Sequence, residues 1–248
     1  MDKNIIVLKY HNNFAENLSN YAYGKILEKN SNCCCVYEND PDKRNNFEFL
    51  MNDFNLECNY LSKTRTDELA RKSGYMDYSE INSKRIKKSR VADINLIMPS
   101  EADKITDDIK CLFNFQNREF IVNHDILEDI FSHNSIGLYI SKDDLPDVKF
   151  INAAIKRLNK YIKQPKLYIF SEHIFEIDDS ICARFLNLSD WREEFYFLQN
   201  CKHKIIHGIN ESYSVGFWAS ILSNKPFYYV VHSKKLRPSK KFINWIAI

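Results

Sequence analysis

The sequence predicts an α/β protein made of two Rossmann-like lobes facing across a cleft. Short apolar runs rich in β-branched residues alternate with segments whose apolar residues recur every three or four positions, the pattern of a parallel sheet with crossover helices. The alternation comes as two series, one at each end of the 248 residues, with a weakly patterned stretch between them. Ligand is then expected at the carboxyl ends of the strands, in the cleft between the lobes. The expected division is an N-terminal lobe over 1–130 and a C-terminal lobe over 131–248.

Each element has its own warrant. Residues 5–8 are a compact apolar run, followed by His11-Asn12-Asn13 and then Phe14, Leu18, Tyr21, Ala22 and Ile26 at helical spacing: strand, turn, helix. Residues 33–37 form a second apolar run, closed by Asn39-Asp40-Pro41, and 47–54 return to helical spacing. From 61 to 99 the pattern weakens around the charged stretch 84–90, and irregular structure or an insertion is expected there. Residues 102–113 and 125–131 read as helices and 136–140 as a strand. The second series opens with an amphipathic helix over 148–161 (Phe150, Ile151, Ala154, Ile155, Leu158), which Pro165 stops. Strands at 166–170, 203–207 and 227–231 and helices at 191–201 and 214–222 complete it.

Composition removes several function classes. At 44% hydrophobic and 27% charged, the chain is of ordinary globular type. The five glycines, at positions 24, 74, 137, 208 and 216, form neither G-x-G-x-x-G nor G-x-x-x-x-G-K, so no standard glycine-rich loop holds a phosphate. Lys and Arg number 35 against 33 Asp and Glu, a formal charge of +2 that demands no polyanion, and no nucleic-acid partner is expected. Seven cysteines, an odd number with three adjacent, suit a reducing cytoplasmic compartment. The opening apolar run is too short for a signal-peptide core, and no run approaches a membrane span. No C-x-x-C or H-E-x-x-H occurs and Cys201-Lys202-His203 lacks a second pair, so no metal site is expected.

In the second half the segments Gly137-Leu-Tyr-Ile-Ser-Lys-Asp-Asp144, Pro165-Lys-Leu-Tyr-Ile-Phe-Ser-Glu-His173, Glu194-Phe-Tyr-Phe-Leu-Gln-Asn-Cys-Lys-His-Lys-Ile-Ile206 and Ser214-Val-Gly-Phe-Trp-Ala-Ser-Ile-Leu-Ser223 follow one another. Their order and spacing resemble the alpha-1,2-fucosyltransferases of glycosyltransferase family 11. That family carries H-x-R-R-G-D-Y, P-K-F-Y-I-F-S-D-D, D-L-Y-L-M-S-x-C-K-H-N-I-I-A-N and S-S-F-S-W-W-G-A-W-L-N in this order. Near the N-terminus the family's G-G-L-G-N-Q-L-F-Q-Y-A-L-G falls on residues 12–24, keeping Leu18, Tyr21, Ala22 and Gly24. The resemblance is strongest over 135–223, and about 40–115 is unmatched.

The resemblance implies a GT-B-like, metal-independent, inverting glycosyltransferase. It implies a nucleotide-sugar donor, GDP-fucose, with no other bound cofactor, and a glycan acceptor in the synthesis of surface polysaccharide or lipopolysaccharide. Peripheral contact with the inner face of the membrane, through the basic stretches 84–90 and 234–241, is a further implication. The bland reading of those stretches is a solvated surface. The family histidine falls on Tyr139, its arginines on Ser141 and Lys142, its glycine on Asp143 and its aspartate on Asp144, so a point-charge ammonium stands where a planar guanidinium is usual. The second reading is therefore a catalytically inactive relative that binds a nucleotide, a glycan or a partner enzyme.

The candidate residues follow. Asp144 and Asp143, after the strand at 136–140, are candidates for the base that takes a proton from an acceptor hydroxyl or for a metal ligand, or else form a solvated turn. Ser141 and Lys142 are placed near the diphosphate by the resemblance. Asn12 and Asn13 stand at two family glycines and tolerate a left-handed turn, or simply form the strand-to-helix connection. Ser171 and Glu172 end a strand where nucleotide contacts gather and a carboxylate can accept from a base or a ribose; alternatively Ser171 caps a following helix. Ser212, Ser214 and Gly216 precede or open a helix and could face a phosphate, or serve as its caps. Trp218 and Phe217 read as core.

Overall fold

The structure, a computed structural model, describes residues 4–9, 14–39, 51–76, 88–92, 107–116, 118–140, 145–178, 181–207, 215–223, 229–231 and 245–247. The chain forms two compact units, Met1–Gln116 and Asn117–Ile248. The division thus falls before the expected 130/131, and the helix at 124–132 belongs to the second unit.

The first unit holds strands β1 (Asn4–Leu8), β2 (Cys33–Asn39), β3 (Tyr60–Ser62), β4 (Tyr75–Met76) and β5 (Arg90–Ala92) with helices α1 (Phe14–Asn30), α2 (Lys63–Ser73) and α3 (Asp107–Leu112). The sheet order is β3-β2-β1-β5-β4, every pair parallel. The register pairs Ile6 with Cys35 and Leu8 with Tyr37, so these four side chains share one face. Gly24 of α1 lies on that face: a Cβ there would stand 2.8 Å from Leu8 Cδ1. This glycine, shared with the family pattern, serves close packing. Beside that contact Tyr21 stacks on Tyr37 and meets Phe113, and Phe54 meets Phe14, Phe113 and Phe115. α1 buries polar Asn17, Ser19 and Asn20 beside its apolar residues, and the Asn20 amide donates to the Lys9 carbonyl at 2.9 Å.

The second unit holds α4 (His124–Ser132), β6 (Asn134–Ile140), α5 (Val148–Leu158), β7 (Pro165–Phe170), β8 (Cys182–Leu186), α6 (Trp191–Asn200), β9 (His203–His207), α7 (Val215–Ile221), β10 (Tyr229–Val231) and β11 (Trp245–Ala247). Its six strands are all parallel in the order β11-β10-β9-β6-β7-β8. Numbered from β6, that is the doubly wound order 3-2-1-4-5-6, and the side on which successive strands are added switches between β6 and β9. The two-residue period of β6 sends Ile136, Leu138 and Ile140 to one face, where α5 contributes Phe150, Ile151, Ala154, Ile155 and Leu158. Each such aliphatic side chain contributes about 1.5–3 kcal/mol on full burial. Gly137 and Tyr139 face the other way: a Cβ on Gly137 would stand 2.6 Å from Leu198 Cδ1 of α6, and one on Gly216 of α7 would stand 3.0 Å from Tyr139 Cδ1.

Seven elements depart from the expectations: β3, β4 and β5, of two or three residues each, fall in or beside the stretch expected to be irregular, and four more differ as follows. α2 lies in the stretch expected to be irregular; Thr66 is its one buried side chain, so it has no apolar stripe to read. Its ends were nonetheless written in Ser62 and Gly74, the latter at φ 74° with its N–H on the Ala70 carbonyl. β8 is an edge strand with a weakly buried pattern, and β11 is a three-residue edge; neither was expected. α5 stops at Leu158 rather than 161, because Lys160 and Tyr161 donate to carbonyls three residues back and tighten into turns. The expected helix starts at 47 and 102, the strand start at 227 and most of the basic stretches 84–90 and 234–241 lie outside the described residues.

Candidate functional site

The carboxyl ends of β6, β7 and β8 surround a cavity of about 120 Å³ in the second unit. Tyr139 and Ile140 come from β6, Ser171 and Glu172 follow β7, and Leu186, Asn187 and Leu188 end β8; α6 adds Trp191 and Glu194, and α7 adds Val215. It lies at the carboxyl ends of the strands, where a doubly wound sheet presents its loops, on the β7 side of the switch between β6 and β9.

Local chemistry fixes each wall. Ser171 Oγ accepts the His173 N–H at 3.0 Å, which turns the chain away from β7 and leaves Glu172 exposed. No helix occurs over 172–178, so Ser171 makes a turn and not the helix cap that was its alternative reading. α6 opens on Asp190, whose carboxylate accepts the Arg192 N–H at 2.9 Å and is forked by the Arg192 guanidinium at 2.6–3.1 Å. The Arg192 fork is the leading reason that the Asp190 carboxyl titrates below its usual range. The helix so started carries Trp191 and Glu194 three residues apart, on one face, into the cavity.

Electrostatically the cavity is a hydrogen-bond acceptor. Its described lining has two carboxylates, Glu172 and Glu194, beside Ser171 and Asn187, and no cation. Tyr139 and Trp191 add half-buried aromatic surface. Such a lining suits the hydroxyl and N–H groups of a ribose, a sugar or a base, and it repels a phosphate that has no cation of its own nearby.

Of the residues singled out from the sequence, Ser171 and Glu172 line the cavity together. Gly216 is buried on α7, where its missing side chain lets the helix approach Ile206 and Tyr139; a Cβ would lie 2.6 Å from Ile206 Cδ1. Trp218 and Phe217 are core, at 0% and 1% exposure. Asn12, Asn13, Ser141, Lys142, Asp143, Asp144, Ser212 and Ser214 lie outside the described residues. In sequence, 141–144 follow the end of β6 and 212–214 follow β9, the two strands at which chain order reverses. Sequence reasoning missed Trp191, Glu194, Asn187 and Tyr139. The available signal for Trp191 and Glu194 was the aspartate cap ahead of a helix that follows a strand end. Among the described residues no group of three or more His, Cys, Asp or Glu side chains could hold a metal ion, and no helix is long and apolar enough to cross a membrane. The first unit has a larger, more open hollow of about 450 Å³ on the flank of α1, lined by Tyr21, Lys25 and Glu57 among others.

Comparison with known proteins adds little to this geometry. No family model matches the chain. No curated protein matches it in sequence. The resemblance to family 11 therefore stays a resemblance. Among solved structures the chain is similar to the bacterial iron-containing dodecameric glycosyltransferase TibC from enterotoxigenic E. coli H10407, at 7% identity and a TM-score of 0.40. The likeness covers 92% of this chain and 58% of that one. A likeness of this size transfers neither an activity nor a ligand.

Proposed function

We propose that the chain is a glycosyltransferase that binds the nucleoside end of a nucleotide-sugar in the cavity beyond β6, β7 and β8. The observation that carries this reading is the meeting of Ser171, Glu172, Trp191 and Glu194 at the strand ends of a doubly wound parallel sheet. Glu172 and Glu194 accept from ribose hydroxyls or base N–H groups, and Trp191 and Tyr139 flank the ring. The motif order of residues 137–223, which resembles the alpha-1,2-fucosyltransferases, makes GDP-fucose the first donor to test and a surface glycan the acceptor class.

Lys142, Ser212 and Ser214 would balance the diphosphate, and Asn12 and Asn13 are the first-unit residues that the resemblance assigns to the donor. In an inverting displacement the acceptor oxygen attacks the anomeric carbon, its proton passes to Asp144 or Asp143, and the C–O bond to the nucleoside diphosphate breaks. The second reading, a catalytically inactive nucleotide- or glycan-binding relative, draws on one observation: two carboxylates and no cation line the described cavity.

Turnover of GDP-fucose on a glycan acceptor, compared between wild type and Lys142→Ala, separates the two. Release of GDP that falls about tenfold or more in the variant supports catalysis with Lys142 at the phosphate. Nucleotide binding without turnover supports the inactive relative.

A further inference from the structure

Glu193, like Arg192, is a charged residue of α6 that does not line the cavity, although both Trp191 and Glu194 do. It is 1% exposed. Its Oε1 accepts the backbone N–H groups of Val122 at 2.9 Å and Asn123 at 2.8 Å, and its Oε2 accepts the Asn123 side-chain amide at 2.8 Å. Three charge-assisted bonds compensate a carboxylate that burial alone would penalise. The same stretch touches α6 at two further points. Arg192 lies 5.4 Å from the Phe120 ring centre, and Arg118 lies 5.1 Å from the Tyr196 ring centre. Phe120 and Tyr196 meet edge to face at 6.1 Å. The chain at the head of the second unit is thus clamped along the helix that furnishes one wall of the cavity.

We infer that Glu193 is a positioning residue: by holding Val122 and Asn123 it sets where α6 presents Trp191 and Glu194, so that ligand in the cavity and the seating of residues 118–123 stabilise each other. The inference deepens the donor-site reading above and rests on it for its ligand arm. Coupling of this kind is reciprocal, because whatever fixes α6 for the ligand is fixed by the ligand in turn. Glu193 itself touches no reacting atom.

The test uses the full chain as wild type, Glu193→Ala, Glu193→Gln and Glu193→Gln with Asn123→Asp. Glu193→Gln keeps the carbonyl that accepts both backbone N–H groups and sets an NH2 where the Asn123 amide must turn its oxygen to accept; Asn123→Asp supplies an acceptor there in either orientation. Amide exchange without ligand forms one arm. Faster exchange at Val122 and Asn123 and in the first turn of α6 is expected for Glu193→Ala, with 196–200 still protected, and recovery in the double variant. Titration with GDP and GDP-fucose forms the other: affinity is expected to fall about tenfold in Glu193→Ala and to return within about twofold in the double variant. Unchanged exchange in the first turn of α6 would overturn the positioning role. Lost protection with wild-type nucleotide affinity would overturn the coupling. A wild type that binds neither nucleotide overturns the donor-site reading, and with it the ligand coupling, while the exchange arm still decides whether Glu193 positions α6.

Discussion

His207 Nε2 accepts the Asp147 backbone N–H at 3.0 Å, so the end of β9 holds the start of α5. The register sets His207 beside Ile140, the last residue of β6, and its ring lies 5.8 Å from Phe150. The Asp147 carboxylate accepts the Phe150 N–H at 3.1 Å and caps the helix. An imidazole that accepts at Nε2 is neutral with its proton on Nδ1. His207→Leu removes that acceptor, and a loss of about 1–3 kcal/mol in urea denaturation is expected. His207→Gln, which places an oxygen near the same point, is expected to recover most of it; equal losses would show that the hydrogen bond contributes nothing.

Gly137 makes room for α6. A Cβ at this position would meet Leu198 Cδ1 at 2.6 Å and Cys201 Sγ at 3.2 Å. Gly137→Ala is expected to cost about 1–3 kcal/mol by overpacking. Adding Leu198→Val should return part of that cost, which a double-mutant cycle of unfolding free energies would measure.

Asp129 gives the stability a dependence on acid. Burial pushes its carboxyl up, and the hydrogen bond from Lys166, helped by Tyr168 and His133, more than offsets this and leaves it below the ordinary 3.8. Lys166 Nζ lies 2.6 and 2.8 Å from the two oxygens. A carboxylate depressed in the folded state adds stability that is complete above its unfolded value, about 3.9, and is lost as pH falls through the lower folded one. The urea midpoint of Asp129→Asn is therefore expected to fall less steeply than that of wild type below about pH 4. Parallel acid limbs would remove Asp129 from the cause.

Trp191 lines the cavity, whereas Trp218 is buried in the core. Quenching of intrinsic fluorescence by added nucleotide is expected in wild type and is expected to be lost in Trp191→Phe. Quenching that survives in Trp191→Phe would move the ligand away from this wall.

Apart from the edge strands β8 and β11, the strands and helices of the second unit could be read from residues because their periods are clean. Ile136, Leu138 and Ile140 alternate toward α5, and α5 answers with apolar residues three and four apart. α2 could not be read that way, since a helix with one buried side chain has no stripe and is announced only by Ser62 and Gly74 at its ends. α1 was found from its apolar residues, but its buried Asn20 donates to the Lys9 carbonyl beyond β1, a tertiary contact that no local pattern encodes. At the cavity, Ser171 and Glu172 could be named because a strand end announces itself. Trp191 and Glu194 were announced only by the Asp190 cap of their helix; that they line the cavity depends on α6 crossing the end of β8, a tertiary relation absent from spacing.

The most direct measurement is the thermal midpoint of the full chain with GDP, GDP-fucose, UDP-sugars and dTDP-sugars, alongside Glu172→Gln and Trp191→Ala. A ligand that binds only the native state at about 100 times its dissociation constant adds about 2.7 kcal/mol and must raise the midpoint. A rise in wild type with at least one nucleotide, reduced in both variants, is the expected result. No rise with any of them at millimolar concentration, or a rise untouched by both substitutions, would contradict a nucleotide-sugar pocket at the ends of β6, β7 and β8.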